Sequence, residues 1–380
     1  MRRRKFVKLS GSSIIATGLA GCASDGGNGG NDSSGGDGGG GNGGNDSSGG
    51  DGGGGDTTYV GLVYSETGLG DNSFNDSAHR GIEKAGKDYN VEHKDAEPAS
   101  PSEMKGLQRR FAQSKNPDID LVIGIAYNQA EGISENAKQF PDQKFMIVDA
   151  TVEESNVASY TFKEHEGSFQ VGHLAGLVTQ RDFSAGAGAT KTRQNKVGFM
   201  GGRQIPLIEK FEAGFRAGVQ YAGAESLSSY TGSFTDISKG QEVALNQYDN
   251  GADIVYHAAG PVGGGLFKAA QERGRYAIGV DSDQSITASD FADYIMASMV
   301  KRVDNAVYTA TENTVKDTFK GGEHITLGLA NEGVSAVYGQ TLESAIPNEV
   351  KSEMKDSKQK IVDGDISVPK SRDELEGWEA

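Results

Sequence analysis

The sequence predicts an α/β protein of two lobes, each wound around a mostly parallel sheet, and three observations carry that reading. From Thr57 onward, short apolar runs alternate with amphipathic stretches of helical period. Most runs are apolar through their centres rather than on alternate residues, the pattern of strands buried on both faces. The stretch from Thr57 to Ala380 is also longer than one hydrophobic core usually serves, so it divides.

The segments before that body read as address and tether. Arg2, Arg3, Arg4, Lys5 and Lys8 form a basic head, followed by the mildly apolar Leu9 to Gly21 and then Cys22, the layout of an export signal over residues 1–22. Bilayer spans need about 20 apolar residues, so this stretch is too short to cross one. Arg3-Arg4-Lys5-Phe6-Val7-Lys8 resembles a twin-arginine signal and Leu19-Ala20-Gly21-Cys22 a lipobox. A lipid on Cys22 would anchor the mature protein at the outer face of the cytoplasmic membrane. The alternative is a stray cysteine after a basic start. Residues 23–56 are almost entirely Gly, Asp, Asn and Ser, with Asn28 to Gly41 repeated letter for letter as Asn42 to Gly55. Nothing there can build a core, so the segment reads as a flexible tether rather than a stack of calcium-binding repeats.

In the body, Tyr59 to Tyr64 reads as the first strand and Ser77 to Tyr89 as the helix after it. A weaker strand at Asn90 to His93, a helix at Ser102 to Gln113, a strand at Leu121 to Tyr127, a helix at Gly132 to Phe140 and a strand at Lys144 to Asp149 complete the first lobe's series. The lobes divide near Phe162 to Glu166. The second series runs strand Lys196 to Met200, helix Pro206 to Tyr221, strand Ser228 to Gly232, helix Lys239 to Asn250, strand Asp253 to Ala258, helix Gly265 to Arg273 and strand Tyr276 to Val280. Such alternation gives right-handed crossovers around parallel strands. Ligands bind beyond the carboxyl ends of parallel strands, which points to the loops Ser65 to Asn75, Tyr127 to Glu131, Asp149 to Val152, Gly201 to Ile205, Gly232 to Asp236, Ala259 to Gly265 and Asp281 to Gln284.

Composition and motifs exclude several functions. Lys+Arg 37 against Asp+Glu 53, a net charge of −16, leaves no basic surplus to neutralise phosphates, so no nucleic-acid partner is expected. One cysteine permits no internal disulfide and no cysteine-built metal centre. Gly260-Pro261-Val262-Gly263-Gly264-Gly265 leads into Leu266 rather than the Lys of a P-loop, and Gly68-Leu69-Gly70 leads into Asp71 rather than completing a dinucleotide fingerprint. No Gly-x-Ser-x-Gly elbow occurs. The six histidines show no His-x-x-x-His spacing, so no metal and no cofactor are expected. Asp281 and Asp283 would serve hydrolysis only at a separation that sequence does not define. A binding cleft remains. Asp71 to Asp76 follows the first strand and opens a helix, with Phe74 among polar side chains, and Phe234 follows a strand of the second lobe in a similar way. Two rings on opposite walls would sandwich a flat ligand, although Phe74 also reads as a residue packing into its own lobe.

The runs Asp71 to Asp76, Lys196-Val197-Gly198-Phe199-Met200-Gly201-Gly202, Ile205-Pro206, Phe211-Glu212-Ala213-Gly214-Phe215, Gly232-Ser233-Phe234, Gly279-Val280-Asp281-Ser282-Asp283-Gln284 and Lys301-Arg302-Val303-Asp304 resemble the basic membrane protein family. These are PnrA-like substrate-binding lipoproteins of ABC transporters whose ligands are largely nucleosides. The resemblance spans Tyr59 to about Gly339. It implies a type I periplasmic-binding-protein fold, two Rossmann-like lobes joined by three crossovers, with lobe one at 57–164 plus 290–325 and lobe two at 165–289 plus 326–380. Phe74 and Phe234 then resemble the base-stacking pair, Ser73 and Asn75 lie beside base or sugar, Asp281 resembles the ribose carboxylate and Lys301 the cleft lysine. The chemistry agrees, because a carboxylate accepts from two neighbouring hydroxyls and charge-assisted bonds are the stronger kind. Gly260 and Gly263 would let backbone approach a ligand. Without the resemblance, Asp281 reads as a surface loop acid and Lys301 as a solvated helix residue paired with Asp304.

One departure bears on specificity. Family members often carry an acid shortly after the first strand, where this chain has Ser65, which leaves the base open and makes Tyr127 and Asn128 candidates for replacement contacts. The expectation is a lipid-anchored receptor, not an enzyme, that captures a nucleoside, purine preferred, and passes it to an ABC permease with its ATPase. A free-sugar receptor of the same fold, a nutrient sensor signalling to a membrane partner and a hydrolase are the alternatives.

Overall fold

The computed structural model describes residues 56–191 and 194–379, so the expected export signal, Cys22 and nearly all of the tether lie outside the described residues. The chain runs through β1 (Thr58–Val63), α1 (Phe74–Asp88), β2 (Val91–Ala96), α2 (Pro101–Ala112), β3 (Leu121–Ile125), α3 (Ala130–Gln139), β4 (Lys144–Val148) and β5 (Val157–Phe162). It continues through α4 (Glu164–Thr179), a two-residue hairpin of β6 (Ser184–Ala185) and β7 (Gly188–Ala189), β8 (Lys196–Gly201), α5 (Pro206–Tyr221), β9 (Glu225–Tyr230), α6 (Ile237–Asp249), β10 (Ala252–Ala258), α7 (Gly263–Arg273), β11 (Tyr276–Asp281), α8 (Gln284–Thr287) and β12 (Ile295–Lys301). The last elements are α9 (Val303–Val315), β13 (His324–Leu327), β14 (Val334–Tyr338), α10 (Asn348–Asp363) and α11 (Arg372–Leu375).

Two six-stranded sheets result, ordered β13-β5-β4-β3-β1-β2 and β14-β12-β11-β10-β8-β9. The first is wholly parallel; in the second, β14 alone runs antiparallel, beside β12. This is the type I periplasmic-binding-protein fold that the resemblance implies, and three crossovers join the lobes. The first lies at Phe162–Glu164, between β5 and α4. The other two fall later than the expected lobe boundaries. The return to lobe one lies after Lys301 rather than near Asp290, because β12 pairs with β11 in the second sheet and buries Ile295, Met296 and Met299 there. The return to lobe two lies beyond Gly328 rather than at Thr326, because β13 pairs with β5 through Leu327.

Both faces of each sheet are covered, which explains the unbroken apolar runs. In β3, Leu121, Ile123 and Ile125 join the core that contains Ile82 of α1, while Val122 packs with Ala112 of α2 and Ile133 of α3. In β10, Ile254 and Tyr256 join Phe215 of α5, while Val255 meets Leu266 and Ala270 of α7. Each such large side chain stabilises the fold by about 1.5 to 3 kcal/mol on full burial. Helix α4 is buried on every side, and it crosses α5 with the backbones almost touching: a Cβ on Gly172 would lie 2.1 Å from the Phe215 carbonyl oxygen, and one on Gly214 2.1 Å from that of His165. Among the described residues, no helix is long and apolar enough to cross a membrane.

Candidate functional site

Between the two sets of strand ends lies a cleft which, counted out to its open mouth, holds about 750 Å³ of empty space. One wall comes from the loop joining β1 to α1. Asp71 shapes it, accepting from the backbone N–H groups of Ser73, Asn75 and Asp76, which satisfies donors at the start of α1 and sets Phe74 at its first turn. Asn75 frames the loop from beneath: its Oδ1 accepts from the Ser65 N–H at 3.0 Å, and its amide reaches Ser65 Oγ, Thr67 Oγ1 and the Gly68 carbonyl at 2.7–2.8 Å. Ser65 is thereby tied to its own loop while still lining the cleft. The next residue, Glu66, lines the cleft as well.

The opposite wall carries Phe234, whose ring rests on the bare backbone of Gly202; a Cβ there would lie 2.3 Å from the ring. The Arg203 guanidinium sits 5.7 Å from the centre of that ring and 3.4 Å from Glu66 Oε1, joining the lobes across the mouth. The floor is apolar, from Leu207, Ile208 and Phe211 of α5. Deeper in, Ser73 donates to Asp281 Oδ2 at 2.9 Å, and Ser282 returns a bond to the Ser73 carbonyl at 3.0 Å.

Lys301 lies at the centre, only 2% exposed. Its ammonium is 2.7 Å from Asp149 Oδ2 and 3.7 Å from Glu164 Oε1, and it faces the rings of Phe74, Phe162 and Phe211 at 4.7, 5.3 and 5.6 Å from their centres. Burial alone would lower its pKa, but the charges of Asp149, Asp281 and Glu164 outweigh that and hold it above the usual lysine range. Burial pushes Asp281 up to about 6, with Lys301 and the Ser73 hydroxyl opposing. Burial raises Glu164 likewise, against Lys301 and Lys210. One oxygen on each of three cleft carboxylates, Glu66 Oε2, Asp149 Oδ1 and Asp281 Oδ1, is buried without a protein donor. A buried acceptor left so costs about 1 to 3 kcal/mol, which a ligand bearing donors would recover.

Of the residues singled out in the sequence, Phe74, Tyr127, Asn128, Phe234, Gly260, Asp281 and Lys301 line this one cleft. Three do not. Ser73 is fully buried behind Asp281, Asn75 is the scaffold of the loop, and Gly263 starts α7 where a Cβ would lie 2.0 Å from the His257 ring. The alternative readings of two residues are corrected: Asp281 is buried rather than a surface acid, and it is Arg302, not Lys301, that pairs with Asp304, at 2.9 Å. Asp283 caps α8, accepting from the Ser285 N–H at 3.0 Å. Sequence reading missed Glu66, Asp149 and Phe211. A signal existed for Asp149, which ends a predicted strand, and for Phe211, which lies in a motif that carried the resemblance.

A profile of the family described as ABC transporter substrate-binding protein PnrA-like matches residues 58–372. The CD4+ T-cell-stimulating antigen of Listeria innocua is 37% identical over 331 residues, covering 82% of this chain and 87% of its own length. A protein of Lactococcus lactis described as the nucleoside-binding protein of an ABC transporter is 32% identical over 331 residues, covering 81% of this chain and 88% of its own. Among solved structures, an ABC transporter solute-binding protein from Aeropyrum pernix superposes with a TM-score of 0.72 at 27% identity, covering 84% of this chain and 96% of that one.

Proposed function

The chain belongs to the PnrA-like family of ABC transporter substrate-binding proteins, and from that premise we propose that its ligand is a nucleoside, held with the base between Phe74 and Phe234 and the ribose over Lys301. The observation that carries this reading is the pair of donor-less buried oxygens, Asp149 Oδ1 and Asp281 Oδ1, set around Lys301. Adjacent ribose hydroxyls supply the two donors such a pair lacks, and Lys301 gives a hydroxyl oxygen its own donor. Glu66 Oε2, near the mouth, would accept from an N–H on the base edge, whereas the hydroxyl of Ser65, which also lines the cleft, is already engaged by Thr67 and Asn75. A free sugar would satisfy the carboxylates but has no ring N–H for Glu66. Four carboxylates line the cleft against the ammonium of Lys301, so a phosphorylated ligand meets like charge and is rejected.

Under this reading the protein is a receptor without catalytic activity. It passes its ligand to a permease and ATPase and is held to the outer face of the cytoplasmic membrane through lipid on Cys22, after export by the twin-arginine route. Calorimetry with purine and pyrimidine nucleosides, their 5′-monophosphates, ribose and glucose tests the ligand class. Nucleosides should bind, and each monophosphate should bind weaker than its nucleoside by roughly tenfold or more, a difference of about 1.4 kcal/mol. Ribose or glucose binding more tightly than every nucleoside would move the reading to a sugar receptor.

A further inference from the structure

We propose that His79, His93 and Asp95 form a binding site for one first-row transition-metal ion of the Zn²⁺ type on the first lobe, separate from the cleft. The three residues come together through topology. His79 lies on α1, whereas His93 and Asp95 lie two apart on the edge strand β2 and so share one face. This is why spacing along the chain hid them. One ligand atom of each lies within 4.8 Å of the other two.

The distances suit a small ion. His93 Nδ1 is 3.2 Å from Asp95 Oδ1, and His79 Nδ1 is 3.7 Å from Asp95 Oδ2. Ligands about 2.1 Å from a tetrahedral zinc lie roughly 3.4 Å from one another, between those two values. The far nitrogens are provided for as well: Glu83 Oε1 stands 3.8 Å from His79 Nε2 and 3.9 Å from His93 Nε2. Metal-bound imidazoles characteristically donate their second N–H to such a carboxylate, which fixes the tautomer. The buried Tyr64 hydroxyl donates to Asp95 Oδ1 at 3.1 Å and so orients that carboxylate, while its 2.9 Å contact with His79 Nδ1 must give way for that nitrogen to bind an ion. The side chains of His79, His93 and Asp95 are 22% to 30% exposed, so an ion can reach them from water. Two imidazoles and a carboxylate favour Zn²⁺, Co²⁺, Ni²⁺ or Cu²⁺ over Mg²⁺ or Ca²⁺, which prefer oxygen-only sets. None of the three lines the cleft. A bound ion would clamp α1, whose first turn carries Phe74, to the edge of the first sheet.

The test is titration of the metal-stripped full-length protein with ZnCl₂ by calorimetry and with Co²⁺ by visible absorption. One equivalent of Zn²⁺ should bind, and Co²⁺ should give the intense bands of a tetrahedral site with imidazole ligands. Glu83→Gln should weaken binding by about 10- to 100-fold, and His93→Ala or Asp95→Asn by at least as much. Melting in EDTA shows whether each variant is folded; should His93→Ala or Asp95→Asn fail to fold, the Glu83→Gln titration and the wild-type cobalt spectrum carry the decision. Failure of the wild type to take up stoichiometric Zn²⁺, absence of tetrahedral cobalt bands, or a folded His79→Ala/His93→Ala variant that binds as well as the wild type overturns the site.

Discussion

Each lobe ends the third strand of its sheet on an aspartate turned into the cleft, and the two lobes use that aspartate differently. Asp149 follows β4 with φ 67°, Asp281 closes β11 with φ 64°, and β4 and β11 hold corresponding places in the two strand orders. Left-handed backbone is uncommon outside glycine but tolerable for aspartate, so both positions trade a little strain for aim. Asp149 is ion-paired with Lys301; Asp281 accepts a hydroxyl from Ser73 of the other lobe. Lys301 itself ends β12, the counterpart of β5, whose last residue Phe162 packs against it. The repeated fold thus provides equivalent positions, and the neighbour met at each decides whether its carboxylate is paired with an ammonium or with a hydroxyl, while each keeps one oxygen without a protein donor.

The comparison breaks most easily at the lysine. Lys301→Met would keep the apolar stem among three phenylalanines but leave Asp149 without its cation and Glu164 with Lys210 alone, so stability should fall by about 3 to 5 kcal/mol in urea denaturation at neutral pH. A loss under 1 kcal/mol would mean that the carboxylates do not depend on it. Next come the two aspartates. Both Asp149→Ala and Asp281→Ala should lose about 1.5 to 3 kcal/mol of nucleoside affinity, the range for bonds to a charged group. Only Asp149→Ala should also lower the unfolding midpoint of the ligand-free protein; equal midpoints would erase the distinction. The rings follow. Phe74→Ala and Phe234→Ala should each cost about 1 to 3 kcal/mol of affinity, and the double variant less than the sum, because one wall alone cannot clamp. Strict additivity would reduce both to packing residues.

The smallest effect is in pH. Asp281 must be ionised to accept two hydroxyls, so with its pKa near 6 in the ligand-free protein, nucleoside affinity should fall as pH drops through 6, approaching tenfold per unit below it. Ligand-free stability should move the other way. A carboxyl with a raised folded-state pKa stabilises most below its unfolded value and loses that contribution as pH rises from about 4 to about 6. Asp281→Asn should flatten both trends, and calorimetry and urea melts at stepped pH would show whether they survive it.

The covered strands were the legible part of the fold, since burial on both faces leaves an apolar run whatever its partner. Helix α4 was not, because a helix without an exposed face has no polar stripe to reveal its period. Strand β12, Ile295–Lys301, is rich in Met, Ala and Ser, poor markers of strand, and overlooking it displaced a lobe boundary. In the cleft, side chains that end or follow strands could be read, whereas Glu66 could not: Ser65 and Glu66 both line it, and only the folded loop shows that Asn75 engages the one while an oxygen of the other lacks a donor.

The crossover that begins after Lys301 also has a mechanical side. Any parting of the lobes turns about the three linking segments, and a group mounted on that axle travels least while groups at the rim, such as Glu66 and Arg203, travel farthest. Under the proposed reading, a ligand resting on Lys301 would keep its hold at angles where the rim had already let go. Capture would begin at the pivot and finish at the lips, and release would run in reverse, so the lever arm would set the order of events with the Glu66–Arg203 pair as its latch.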